Sequence, residues 1–258
     1  MKLTNIVTSA ALISALSISP MAMAAEKPMT SEQKKQIEKV VHDYLVSNPE
    51  VLIEASQALQ KKQQDNMRQQ ARAAIENNAS QLFSGQLTTL GNAKGNVTLV
   101  EFFDYQCVHC KKMAPVIDSL LEKDKNLRVI YKEFPIFGKT SEVASRAALA
   151  AAMQGKYKPF HEALINQQKR LTDKEIFAEA KKVGLDMSKL KKDMQSKQVT
   201  ETLAQNKALA EKMMLMGTPA FVIAKTPNGT YMKGSEPAFI PGAASEDTLQ
   251  DLIVRMSK

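Results

Sequence analysis

The sequence predicts an α/β fold in which a run of helices is inserted into a strand-containing domain, with an α-helical segment ahead of it. Three observations predict it. Apolar residues recur at helical spacing from Thr30 to about Asn78. Two strand-like runs, Val97–Phe103 and Arg128–Phe134, flank a helical stretch, which makes a βαβ unit with a right-handed crossover. A capped, Ala-rich series of helices then separates this unit from a last strand, a hairpin and a closing helix.

Residues 1–24 read as a secretory signal peptide: Met1-Lys2, an apolar run from Ile6 to Ile18, Ser19-Pro20, and the small-residue site Ala22-Met23-Ala24. The run is shorter than the roughly 20 residues of a membrane span, so the mature chain is expected to start near Ala25 and to be exported. Neither cysteine lies near the cleavage site, which argues against a lipid anchor on an N-terminal Cys.

Residues 25–81 form the helical segment. Thr30-Ser31-Glu32-Gln33 is a capping box, followed by Ile37, Val40, Val41, Tyr44 and Leu45 on one face. Asn48-Pro49 stops this helix and starts the next, with Asn48 as cap and Pro49 at the first position. The second helix carries Leu52, Ala55 and Leu59, then a Gln- and Lys-rich stretch, and ends at Asn77-Asn78. Two helices so thinly apolar cannot bury a core alone. They either dock on the rest of the chain or pair with a second copy.

Residues 82–258 are the larger domain. Gln86–Leu90 reads as a short edge strand and Val97–Phe103 as a buried one, with a helix from Cys107 to Leu121 and a strand at Arg128–Phe134. The helical insertion covers about 139–216: Thr140–Gln154 closing at Gly155, Pro159–Gln168, Thr172–Val183 with the capping box Thr172-x-x-Glu175, and two more helices between Asp186 and Met216. Pro219–Ala224 and Thr230–Lys233 flank Asn228-Gly229, a hairpin signal, and the last helix runs from about Ser245 to Met256.

Composition narrows the chemistry. Among 258 residues, 44% are hydrophobic and 24% charged, as in a globular protein. The formal charge is +8. Residues 25–81 hold eight basic and eight acidic side chains, so the excess that remains after loss of Lys2 lies in residues 82–258. Export argues against nucleic acid as the partner. The only two cysteines are Cys107 and Cys110, which rules out a disulfide-stapled scaffold.

That pair carries the chemistry. Cys107 sits after a buried strand at the start of a helix, where unpaired backbone N–H groups and the helix dipole stabilise a thiolate. His109 can add positive charge or a hydrogen bond, and Lys111 and Lys112 can support the anion or a substrate. A stabilised thiolate favours the reduced state and makes the disulfide a stronger oxidant. The competing readings are a structural disulfide and half of a zinc site. Zinc needs about four ligands, and only His42, His109 and His161 are available beside the pair. No metal and no other cofactor is expected. His42 and His161 read as structural. Met213, Met214, Met216 and Met113 are either core or an adaptable apolar surface near the site.

Glu101-Phe-Phe-Asp-Tyr-Gln-Cys107-Val-His-Cys110, the helical insertion and Gly217-Thr218-Pro219 resemble the DsbA family of thioredoxin-fold thiol-disulfide oxidoreductases, over about residues 85–258. The resemblance implies that Pro219 is a cis-proline against the redox-active disulfide Cys107–Cys110. It implies that the backbone of Thr218 pairs with an extended substrate segment, and that Glu101 is a buried acid assisting proton transfer at the second cysteine. Two features depart from the usual DsbA pattern: Val108 stands where Pro is usual, and Thr218 where Val is usual. The threonine is more like dimeric DsbC-type isomerases, and the N-terminal helices resemble the dimerising segments of a DsbA-like subgroup. The resemblance therefore implies a periplasmic homodimer, with association to the outer membrane left open. It would form and perhaps rearrange disulfides in unfolded or misfolded exported proteins. A DsbB-like or DsbD-like membrane partner would recycle it. The rival readings are a dedicated isomerase and a periplasmic chaperone whose cysteines are dispensable.

Overall fold

The structure, a computed structural model, describes residues 29–258; the expected signal peptide, residues 1–24, and the expected mature start near Ala25 lie outside the described residues. The described chain divides into two compact units, one ending at Leu59 and the other Gln60–Lys258.

The first unit contains α1 (Ser31–Ser47) and the start of α2 (Glu50–Asn77). The expected capping box is present: Thr30 accepts from the Gln33 backbone while the Gln33 side chain accepts from the Thr30 N–H. Asn48 stops α1 as expected, but its side chain makes no capping bond to the next helix among the described residues. Its side-chain amide donates to the Tyr44 carbonyl, so it closes α1. No residue of α1 is buried, and Ile37, Val40, Val41 and Tyr44 are each at least half exposed.

The second unit is built on a five-stranded mixed sheet in the order β1-β3-β2-β4-β5. Its strands are β1 (Thr89–Gly91), β2 (Val97–Phe103), β3 (Leu127–Glu133), β4 (Ala220–Lys225) and β5 (Ala238–Ile240). β2 and β3 are parallel, from Val97 opposite Leu127 to Phe103 opposite Glu133, and are joined by α4 (Val108–Lys123), as the βαβ reading required. Every residue of β2 and β3 is buried, so both faces of the sheet are covered. The covering helices include α3 (Ala79–Leu82) and the insertion: α5 (Lys139–Met153), α6 (Tyr157–Ile165), α7 (Asp173–Lys182), α8 (Met187–Asp193) and α9 (Lys197–Lys212). The chain closes with α10 (Glu246–Ser257).

Strand alternation sorts the core into two layers. Leu99 and Phe103 of β2 and Val129 and Tyr131 of β3 pack with Ile117, Phe160 and Leu252 on one face. Val100, Phe102 and Ile130 pack with Leu209, Leu82 and Ile75 on the other. The C-terminal end of α2 thus belongs to the core of the second unit, and residues 25–81 are not coextensive with the first.

Two elements depart from the sequence expectation. Gln86–Thr88 is a 3₁₀ turn, and the edge strand starts only at Thr89. Asn228-Gly229 does form a turn, with both residues at positive φ, but Thr230–Lys233 is not a strand. The turn folds over the loop before β2, where the Gly229 N–H donates to the Gly95 carbonyl at 3.2 Å and a Cβ on Gly229 would meet the Ala93 carbonyl oxygen at 2.5 Å. The chain re-enters the sheet only at Ala238, opposite Ile223.

Because Ile75 is fully buried, Ile75→Ala is expected to cost about 2–5 kcal/mol in denaturant unfolding of the second unit. The exposed Gln69→Ala on the same helix should cost less than ~0.5 kcal/mol. Equal effects would contradict the docking of this stretch.

Candidate active site

The buried strand β2 delivers the chain to a short turn, and the turn delivers it to α4. Asp104 builds that turn. One carboxylate oxygen accepts from the Gln106 backbone at 2.7 Å, and the other accepts from the backbone N–H groups of Ile136 and Phe137 at 2.7 and 3.0 Å. Its carbonyl accepts from the Cys107 N–H at 3.0 Å. Asp104 is not among the site residues the sequence motifs point to. The available signal was an Asp three residues ahead of a helix start, the position of an Asx turn.

Cys107 is the N-cap of α4, in extended conformation, and its sulfur accepts from the Cys110 N–H at 3.4 Å. This is the geometry in which Ser or Asp usually caps a helix, here with sulfur. As a thiol, Cys107 donates to the Thr218 carbonyl at 3.3 Å. Both cysteines are free and buried, Cys107 at 3% and Cys110 at 1% exposure.

Their protonation is sharply unequal. The Cys107 thiol falls from its ordinary 9.0 to about 5, chiefly through its hydrogen bond with Cys110. Burial opposes the fall, and Thr218 and the backbone N–H groups of Cys110 and His109 add to it. Cys110 is driven far upward by burial first, then by its hydrogen bond with Cys107 and the nearby Glu101.

Glu101 follows from the alternation of β2: it shares the face of Leu99 and Phe103, the layer that holds both cysteines. It is buried at 3% exposure, and Oε1 has no hydrogen-bond partner among the described residues. Burial, then Cys107 and Glu133, raise its carboxyl well above the usual range. The Thr218–Pro219 peptide bond is cis, and the Thr218 hydroxyl is buried without a partner among the described residues.

His109 is brought to the site only by its backbone. Its ring is exposed and makes no hydrogen bond among the described residues. The Lys111 ammonium donates to the carbonyls of Gln167 and Lys169 at 2.7 and 2.8 Å, which ties α4 to the α6–α7 loop, and its charge interacts favourably with Cys107 from there. Gln106 reinforces that tie with two bonds to the backbone of Leu171. Met113 and Met213 are core, whereas Met214 and Met216 are exposed, Met216 at 98%. His42 lies exposed on α1. His161 is structural: it is enclosed by Phe103, Tyr131 and Tyr157, with Nδ1 at 3.0 Å from the Tyr105 hydroxyl. Glu133 accepts from Tyr105 and Tyr157 behind the site, at 3.1 and 3.0 Å, and burial lifts it to about 8. This buried network gave no sequence signal, because its members are far apart in the chain.

The lowered Cys107 value has a measurable consequence. Its folded-state pKa lies below the free-thiol value, so the thiolate stabilises the reduced fold fully above pH 9.0, and the contribution is lost as pH falls through about 5. Thiolate ultraviolet absorbance of the reduced protein should titrate with a midpoint near pH 5, and the reduced form should lose stability below it. A single transition near 9 would contradict this assignment.

Residues 98–254 match the DSBA-like thioredoxin domain, and residues 33–65 match the copper resistance protein ScsC N-terminal domain. The chain is 30% identical to BcfH of Salmonella enterica Typhimurium, with 88% of this chain and 97% of that one covered and a TM-score of 0.74. It is 39% identical to a thioredoxin-like oxidoreductase from Silicibacter pomeroyi DSS-3, covering 67% of this chain and 94% of that one at a TM-score of 0.61. ScsC of Proteus mirabilis in a transitional conformation is 30% identical, with 89% and 99% covered and a TM-score of 0.62. The chain spans about a fifth of the length of the first curated relatives it matches, Na(+)/H(+) antiporters, of which NhaA 3 of Salinispora tropica is 26% identical over 135 residues, 52% of this chain and 21% of that one. The fold, the position of the Cys107 and Cys110 pair and these matches together make the chain a member of the DSBA-like thioredoxin domain family, with helices of ScsC N-terminal type ahead of the domain.

Proposed function

We propose that this protein is a thiol:disulfide oxidoreductase that forms disulfides in exported proteins and also rearranges them. The observation that carries the reading is the unequal pair at the start of α4: a Cys107 thiol lowered to about 5 beside a buried Cys110 held as a thiol.

In the oxidised protein a client thiolate attacks the Cys107 sulfur. The Cys107–Cys110 bond breaks, Cys110 leaves as a thiolate, and it takes a proton. Glu101, kept protonated by burial, is the neighbouring donor. A second client thiolate attacks the client sulfur of the mixed disulfide and releases Cys107 as a stable thiolate. Two client thiols become a disulfide, and the protein's disulfide becomes a dithiol. In the reduced protein the Cys107 thiolate attacks a wrong client disulfide and a client thiol expels it again, with Cys110 rescuing stalled intermediates. Thr218 and Pro219 are the segment against which an extended client lies. The exposed apolar side chains of Val108, Ile136, Phe137 and Met216, on the segments around Cys107, suit unfolded polypeptide.

The relatives support a periplasmic setting, one being described as a periplasmic thioredoxin-like protein from Salmonella enterica serovar Typhimurium. A DsbB-like or DsbD-like membrane partner would restore the working redox state. Self-association, as a homodimer at its simplest, is supported by the unburied apolar face of α1. Met29, Ile37, Val40 and Val41 line a shallow groove of about 330 Å³ there.

Cys107→Ser is expected to abolish both oxidation of a reduced client and refolding of a scrambled one, while Cys110→Ser accumulates mixed disulfides. Retention of either activity in Cys107→Ser would overturn the reading. Light scattering of the full chain should give a multiple of the monomer mass, and removal of residues through Leu59 should give a monomer that keeps oxidase activity and loses isomerase activity. A monomeric full-length protein would refute the self-association.

A further inference from the structure

The face of the sheet turned away from the cysteines holds two buried cations. On β3, Arg128 and Lys132 flank Ile130 on the layer opposite Tyr131, and they are only 8% and 5% exposed. Their hydrogen bonds run to uncharged carbonyls. The Lys132 ammonium donates to Gln81 and Ser84 at 2.8 and 2.7 Å, and Arg128 donates to Gly229 and Phe83 at 2.8 and 3.0 Å. Neither forms an ion pair among the described residues. Buried charges are usually paired, because carbonyl dipoles replace only part of the lost hydration. Here two like charges share one layer, and Arg128 Nε has no partner among the described residues. Burial first and the nearby Arg128 second lower Lys132 to about 8, as expected where positive charge is left unneutralised.

Both side chains line a cleft of about 440 Å³. One wall is the loop from Gln81 to Thr88, and the other is α9, with Thr202, Gln205 and Leu209. The volume lies in the range of small-molecule sites, roughly 300–1,000 Å³, and is far more than a lone inorganic anion fills. Phe83 of the loop, Leu209 of α9 and Leu149 of α5 give part of the lining an apolar character.

We propose that this cleft binds a small amphiphilic ligand whose oxyanion head sits against Arg128 and Lys132 and whose apolar body lies along Phe83 and Leu209. The carbonyls of Gln81, Phe83 and Ser84 hold the two cations in place before the ligand arrives. An Arg donates five N–H groups and an ammonium three, so both keep donors for a carboxylate or phosphate oxygen. The site lies on the sheet face opposite the redox pair and does not depend on the redox reading.

The test is a nitrogen–proton correlation titration of the full-length reduced protein with sodium octanoate and, separately, sodium phosphate, at ionic strength held constant with sodium chloride. The expected result is a saturable shift confined to residues 81–88, 128–132 and 202–209, including the Arg128 Nε–H. Tighter binding of octanoate would assign the apolar wall to the ligand, and saturation by both probes would support the shared oxyanion head. Truncating Arg128 or Lys132 could unfold the layer, so the variant is Gln205→Glu on the exposed rim. It leaves both cations and their carbonyl partners in place and should weaken binding roughly three-fold or more by charge repulsion. Gln205→Lys should strengthen it. Absence of saturable shifts with octanoate, saturation by phosphate alone, or unchanged affinity in Gln205→Glu would each overturn the proposal.

Discussion

Everything at the reactive end of this molecule depends on one constraint: the first turn of α4 has backbone N–H groups with no helical partner, and the atom placed to meet them is the Cys107 sulfur. A capping oxygen would end the matter structurally. A sulfur does not, because its proton is labile and the same N–H groups that cap the helix stabilise its anion. Cys110, one turn along, turns inward and is buried, so the environment that favours charge on one sulfur opposes it on the other. Two identical side chains thus acquire different chemistry from position alone.

The rest of the domain keeps that arrangement in place. β2 is the central strand, buried along its whole length, and it fixes where the turn at Asp104 begins. Asp104 then fastens the turn to the backbone of Ile136 and Phe137, while Lys111 and Gln106 fasten it to the segment from Gln167 to Leu171. The helical insertion therefore does more than cover the sheet, since its loops hold the first turn of α4 from the outside. Strand alternation decides the chemistry of each face. Odd-numbered Glu101 and Glu133 lie in the layer with the cysteines, and even-numbered Arg128 and Lys132 lie in the other. Acid and base are separated by the sheet itself.

Much of this was legible in the sequence. The βαβ unit, the two capping boxes and the order of helices in the insertion follow from periodicity and cap residues, which are local properties. The reactive pair was legible for the same reason, since a cysteine between a strand and a helix is a statement about four or five neighbouring residues. What escaped is non-local. The strand pattern of Leu127–Glu133 shows that it is buried, but not that Arg128 would meet the carbonyl of Phe83, more than forty residues earlier. The carbonyls of Gln167 and Lys169 that anchor Lys111 lie more than fifty residues along the chain, beyond the reach of local spacing. Asn228-Gly229 was recognised as a turn, but the turn packs on the loop at Gly95, which delays the return to the sheet until Ala238.

The account stands on the inequality of the two thiols, and limiting alkylation measures it directly. The fully reduced full-length protein is treated near neutral pH with less than one equivalent of iodoacetamide, and the label is located by peptide mass spectrometry. Modification almost wholly on Cys107, with a rate that holds from neutral pH down to about 5 before falling, is the predicted result. Equal labelling of Cys107 and Cys110, or a rate that climbs only as pH approaches the ordinary thiol value of 9.0, would contradict it.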